Sequence, residues 1–200
     1  MKKSFMEVMR DRRTYYAISN QSPISDNEIE NILKSVITYV PSAFNSQSAR
    51  MVLLLGDNHT KLWNIVKETL RKIVPANNFA ATEAKIDNSF ACGYGTVLFF
   101  EDMNVVEGLQ KSFPSYAETF PGWSLQSSGM HQFATWSLLE EAGFGASLQH
   151  YNPLVDEEVC NTWKFPKTWK LISQMPFGIP VAQPGEKEVQ DIATRFFVFK

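Results

Sequence analysis

Cysteine is scarce: only Cys92 and Cys160 occur in 200 residues. They stand far apart with no C-x-x-C spacing, which fits a reduced, cytoplasmic compartment and excludes a cysteine-based zinc site. No run of 18 apolar residues is present, so no membrane insertion is expected. The N-terminal MKKSFMEVMRDRR lacks the unbroken apolar core of a secretory signal. Neither sign of charge dominates. Nineteen basic against 21 acidic residues leave a net charge of −2, which argues against general nucleic-acid binding. There is no G-x-G-x-x-G, P-loop, G-x-S-x-G or H-E-x-x-H motif, so dinucleotide-fold, triphosphatase and common hydrolase readings lose their usual support. Repeats, low-complexity tracts and long linkers are missing too, and residues 1–200 read as one domain.

What is present is apolar enough, at 44% hydrophobic residues, to bury a full core. Helices are expected over 3–12, 25–40, 59–74, 78–91, 104–112, 125–142, 155–163 and 186–192. The second carries a capping-box pattern, Ser25 with Glu28, before Ile29, Ile32, Leu33, Val36 and Val40 at helical spacing, and Pro41 stops it. In the 125–142 helix the repeating positions are Met130, Phe133, Ser137, Leu138 and Glu141, with Gly143 as the C-terminal cap. Strands are expected at 51–55 (MVLLL), 96–100 (TVLFF), 145–150, 169–174 and 195–199. The connections are too irregular for a simple βαβ fold, which leaves an α+β sheet flanked by long helices.

The most informative segment is PSAFNSQSAR, Pro41 through Arg50. Ser42, Asn45, Ser46, Gln47 and Ser48 crowd it with hydroxyls and amides, while Arg50 is its one formal charge. Such a surface suits a flat, neutral heteroaromatic ligand better than a metal or an acid–base reaction. Arg12, Arg13 and Thr14 make an anion cradle, because a guanidinium binds phosphate through two parallel bonds. Taken alone, they read first as a solvated basic helix end. Arg195, among the apolar residues of ATRFFVF, reads by itself as an outward side chain on an edge strand. A phosphate monoester, at roughly −1.5 to −2 charge, needs two or three such cations together. Near Gly145, small residues allow a flat ligand to approach the backbone, and Gln149 and His150 can hydrogen-bond its edge. A lone histidine at a strand end is more often structural, and His131 is weaker still. Trp123, Trp136, Trp163, Trp169 and the Phe113–Phe120 loop read mostly as core or dimer contacts.

Six segments in order, RRTYYAIS, PSAFNSQSAR, GYGTVLFFED, MHQFATWSLLEEAGFGASLQHYNP, WKLISQMPFG and RFFVF, resemble the nitroreductase family of flavin enzymes, in its short, fatty-acid-repression-like subgroup. The resemblance implies an α+β fold with a mostly antiparallel central sheet, assembled as an intertwined homodimer with two FMN sites at the interface. By it, Arg12, Arg13 and Thr14 hold the FMN phosphate and ribityl chain, with Arg195 as a further phosphate ligand. Pro41, Ser42 and Asn45 reach the flavin from the partner subunit, and Gln149 and His150 lie beside the ring. Two features depart from the family's larger members: Arg195 stands without a second nearby basic residue, and Gln149-His150 replaces an acidic-Gly pair.

The expected activity is transfer of reducing equivalents from NADH or NADPH to small planar oxidants, quinones or nitroaromatic compounds, by a ping-pong route. The chemistry is carried by FMN, so no catalytic side chain is assigned. An alternative is an FMN-binding redox or lipid-status regulatory protein with little turnover.

Overall fold

The computed structural model describes residues 3–200. Among these, seven helices and five strands occur in the order α1 (Phe5–Asp11), β1 (Ile18–Ser19), α2 (Asp26–Tyr39), β2 (Ala49–Leu55), α3 (Asp57–Arg71), α4 (Ala76–Ile86), β3 (Gly95–Asp102), α5 (Met103–Ser112), α6 (Phe120–Glu141), β4 (Gly145–Ala146), α7 (Asp156–Trp163) and β5 (Trp169–Pro180). Local chemistry accounts for many of the boundaries. α1 and α2 each begin at a complete capping box, Ser4 with Glu7 and Ser25 with Glu28. α6 closes on Gly143 at φ 96°. There Gly143 N–H donates to the Glu140 carbonyl and Phe144 N–H to that of Leu139, both at 2.9 Å. This is a Schellman closure, whose left-handed residue is cheapest as glycine.

The sheet runs β1-β5-β3-β2, with β4 also on β5, and every pairing between these strands is antiparallel. β3 lies between two neighbours and is buried on both faces, which is why its sequence is a nearly unbroken apolar run. Alternate side chains serve opposite layers. Val97 and Phe99 pack with Ile29 and Leu33 of α2 and Leu139 of α6. Leu98 and Phe100 pack with Leu62, Trp63 and Val66 of α3 and Val159 of α7. The α+β expectation holds, with helices on both faces of an antiparallel sheet. Among the described residues, no helix is long and apolar enough to cross a membrane.

Several expectations are corrected. The helix placed at 125 starts at Phe120, because Pro121 sits in the first turn, where a missing N–H costs nothing. The 78–91 helix ends at Ile86 and passes into a π turn, Asp87–Ala91. The strand at 145–150 shrinks to β4 and one bridge, Gln149 to Gln174. β1, only two residues long, carries no periodic signal at all. Residues 186–192 form no helix and 195–199 no strand; a single 3-10 turn, Ile192–Thr194, interrupts an exposed tail. The apolar run Phe196–Phe199 is exposed.

α6 follows its expected repeating positions only in part: Ser137 is buried, but the apolar positions before it turn outward. Met130 and Phe133 are 43% and 39% exposed, while Ser124, Ser127, Ser128, His131, Gln132 and Thr135 are buried. Between Phe120 and Leu139, the inward face of this helix is polar.

Candidate functional site

α2 ends against Pro41, and the chain then makes a 3-10 turn, Ala43–Asn45. Phe44, Asn45 and Gln47 take left-handed backbone conformations, with φ of 56°, 50° and 49°. Each such residue costs on the order of 1–3 kcal/mol, and clusters of them persist only where surrounding contacts over-determine them. Those contacts are visible. The Phe44 ring lies 4.9 Å from Phe113, 5.2 Å from Phe120 and 5.9 Å from Trp123, centroid to centroid. Gln47 N–H donates to Ser42 Oγ at 3.0 Å. Arg50 Nη1 donates to the Gln47 carbonyl at 2.8 Å, and its Nη2 pairs with Asp102 Oδ2 at 3.0 Å.

The exit of the loop is tied to a buried acid. Ser48 Oγ donates to Glu101 Oε2 at 2.6 Å, and Ser124 Oγ, from the first turns of α6, donates to the same oxygen at 2.8 Å. Glu101 is 1% exposed, and burial pushes its carboxyl above the ordinary carboxylate range. The two serine bonds and the charges of His131 and Arg50 oppose that shift. Beside the loop opens a cleft of about 600 Å³, lined by Ser42, Asn45, Gln47, Arg50, His131 and Trp169 among others.

A second group of residues is assembled elsewhere. Arg12 caps α1, and Thr14 forms a parallel bridge with Ala146, beside Tyr15 N–H bonded to the Ala146 carbonyl at 3.0 Å. Gly145 permits this approach: a Cβ there would meet Tyr15 Cγ at 2.7 Å. The Arg12 guanidinium stacks 4.4 Å above the Trp136 ring, and its buried Nε has no partner among the described residues. Burial, then the adjacent charge of Arg13, weakens the hold of Arg12 on its proton. Arg13 Nη2 donates to the Gly185 carbonyl at 2.6 Å. Neither arginine makes an ion pair with a described residue. The charge of Glu140 partly offsets the weakened hold of Arg12 on its proton, and two half-buried cations side by side, neither in an ion pair with a described residue, form a site suited to phosphate. Gln149 is anchored at its backbone to Gln174 and at its side chain to Ser147 Oγ, at 3.0 Å. His150 is exposed.

The two groups do not meet within the chain. None of Arg12, Arg13, Thr14, Gln149, His150 or Arg195 lines the cleft beside the loop. His131, in the cleft, and Trp136, under Arg12, are five residues apart on α6, which puts them about 140° apart around its axis. Arg195 lies on the exposed tail, where no hydrogen bond or ion pair joins it to a described side chain. Sequence reading overlooked Glu101, Ser124 and the clamp role of Arg50. The available signal was an acid pair, Glu101-Asp102, closing a strand that is otherwise apolar.

Residues 9–179 match the Nitroreductase family. HBN1 of Saccharomyces cerevisiae is 37% identical over 186 residues, which is 92% of each chain. The nitroreductase CinD from Lactococcus lactis, solved in complex with chloramphenicol and with 4-nitrophenol, is 43% identical. It superposes with a TM-score of 0.89 over 98% of this chain and 100% of its own. A nitroreductase from Desulfitobacterium hafniense with bound FMN, 14% identical and with a TM-score of 0.73 over 100% of each chain, shares the fold.

Proposed function

The chain belongs to the nitroreductase family, and we propose that it is an FMN-dependent oxidoreductase carrying reducing equivalents from NADH or NADPH to nitroaromatic compounds or quinones. Residues 1–200 act as one FMN-binding domain in the cytoplasm. The observation that carries this reading is the pair of incomplete half-sites: two adjacent arginines outside any ion pair among the described residues, one with an unpartnered Nε, in one place and a strained, uncharged polar loop in another. A homodimer joins them, with Pro41, Ser42 and Asn45 of the partner subunit facing Arg12, Arg13 and Thr14. The exposed apolar side chains of α6 and of the tail supply surface for that contact.

FMN, when bound, supplies hydride acceptance and donation. The protein's share is binding and orientation. Arg12 and Arg13 neutralise the phosphate, and Arg12 Nε gains the acceptor it lacks. Thr14 adds a hydroxyl to the ribityl chain, and Arg195 adds charge from the tail. Ser42 and Asn45 satisfy the polar edge of the ring without placing a competing charge beside it. Gln149, braced by Ser147, and His150 would hold the edge of the ring. A flavin held this way would serve nicotinamide and oxidant in turn, and ping-pong kinetics are expected. The 43%-identical CinD was solved with 4-nitrophenol, so nitroaromatics are the acceptor class to try first.

The test is an absorbance spectrum of the purified protein, then anaerobic addition of NADH or NADPH. A flavin band near ~450 nm that bleaches and returns with 4-nitrophenol or a quinone is expected. A band that persists would replace catalysis with FMN-binding regulation. No band after adding FMN would overturn the flavin reading.

A further inference from the structure

Glu101 is a buried carboxylate that the proposed chemistry does not use. Leaving a charge at 1% exposure is costly unless its bonds accomplish something. Both of its bonds converge on Oε2 from separate elements, while Oε1 has no partner among the described residues. One comes from Ser48, where the strained loop leaves for β2. The other comes from Ser124, one residue after Trp123 in the turn of α6 that starts at Phe120. The rings of that turn pack on Phe44 at the other end of the strain. The loop is therefore held to a single helical turn twice, by aromatic packing at Phe44 and through Glu101 at Ser48.

We propose that Glu101 is a positioning residue: through the hydroxyls of Ser48 and Ser124 it holds the Ser42–Gln47 loop in its flavin-binding shape. The proposal rests on the FMN reading above. Arg50 of β2 and His131 of α6 are the charged and titratable groups facing Glu101, and the Arg50 cation favours its charged form. Its neighbour Asp102 is engaged by Arg50. Protonation of Glu101 leaves the two serines with a neutral acceptor, and hydrogen bonds to an ionised group are about twice as strong as neutral ones. Flavin affinity should therefore decline in acid as Glu101 takes up its proton.

The experiment is FMN titration of the flavin-free protein between pH 5 and 8 for wild type, E101Q and E101L, with the melting temperature of each apoprotein recorded alongside. E101L is expected to weaken FMN binding about tenfold or more at pH 7. E101Q restores much of the loss, because its amide oxygen can accept both hydroxyls. The wild-type affinity falls more steeply in acid than that of E101Q; titration of the flavin phosphate is common to both curves and drops out of the comparison. Should E101L fail to fold, the double variant S48A/S124A severs the same link and must show the same loss. Wild-type affinity in E101L, or in S48A/S124A, would overturn the proposal, as would superimposable pH curves for wild type and E101Q. A wild-type protein that binds no FMN would overturn the flavin reading itself, a separate and recognisable failure.

Discussion

Arg50 Nη1 donates to the main-chain carbonyl of Gln47 at 2.8 Å, so a cation on a strand grips a residue held at φ 49°. The same guanidinium pairs with Asp102 on the neighbouring strand. The strained loop is thus fastened to the sheet, and its conformation follows from the register of β2 against β3.

Replacing Arg50 with alanine should release Gln47 and cost about 1.5–3 kcal/mol, the usual range for a hydrogen bond to a charged group. The loop's strain then relaxes. FMN affinity is expected to fall about tenfold or more, read by flavin fluorescence, with stability followed by urea unfolding. Wild-type affinity in R50A would show that the loop holds its shape without the clamp.

Arg12→Met should separate stability from binding. Arg12 is partly desolvated, lies beside Arg13 and has an unpartnered Nε, so its charge destabilises the apoprotein. Methionine keeps apolar contact with Trp136 while removing the charge. The apoprotein melting temperature should stay level or rise, and FMN affinity should drop by about tenfold or more. A clear loss of apoprotein stability would contradict this account.

Gly145→Ala places a methyl 2.7 Å from Tyr15 Cγ and 2.9 Å from Pro180 Cγ. Overpacking of this kind costs about 1–3 kcal/mol. The Thr14–Ala146 bridge is the adjacent pairing that must shift, so a lowered melting temperature should come with weaker flavin binding. Ordinary stability in G145A would mean that Tyr15 moves freely.

His59 gives the fold an acid-sensitive point. Its Nε2 meets the Ala91 carbonyl at 3.1 Å, which requires a proton there, and its Nδ1 at 2.9 Å accepts from Thr96 Oγ1. Thr96 in turn receives the Trp63 indole N–H at 3.0 Å. Burial lowers the His59 pKa below its ordinary value. The unfolded chain therefore binds the extra proton first. The stability that His59 contributes is complete above about pH 6.5 and is lost as pH falls below that value toward the folded pKa. Urea unfolding of wild type and His59→Gln at pH 7.5 and 5.5 isolates the effect, since the other buried groups titrate in both. An equal loss of stability in the two proteins would remove His59 as the cause.

The residues proposed for the site were singled out in one dimension to different degrees. The run from Pro41 to Arg50 stands out by composition, whereas Arg12-Arg13-Thr14 alone reads as a solvated helix end and gains its role only through the family resemblance. The clamps were not readable, because Ser48 and Glu101 are 53 residues apart and meet only through strand register. The polar inner face of α6 was misread for a related reason. Met130 and Phe133 point outward while Phe120 and Leu139 point inward, so hydrophobic spacing marked the outer side along the middle of the helix.

What the sequence determined alone is what short-range forces decide. Capping boxes start α1 and α2, a glycine able to take positive φ ends α6, and the apolar runs of β2 and β3 become strands because neighbouring residues within a turn or a pleat suffice for each. What only the tertiary structure decided is which distant groups share a proton or a charge. It set Glu101 between Ser48 and Ser124, brought Thr14 beside Ala146, left Arg12 Nε without an acceptor, and left Phe196–Phe199 uncovered. Those outcomes depend on register and packing over the whole sheet, where a shift of one residue turns every side chain to the opposite face.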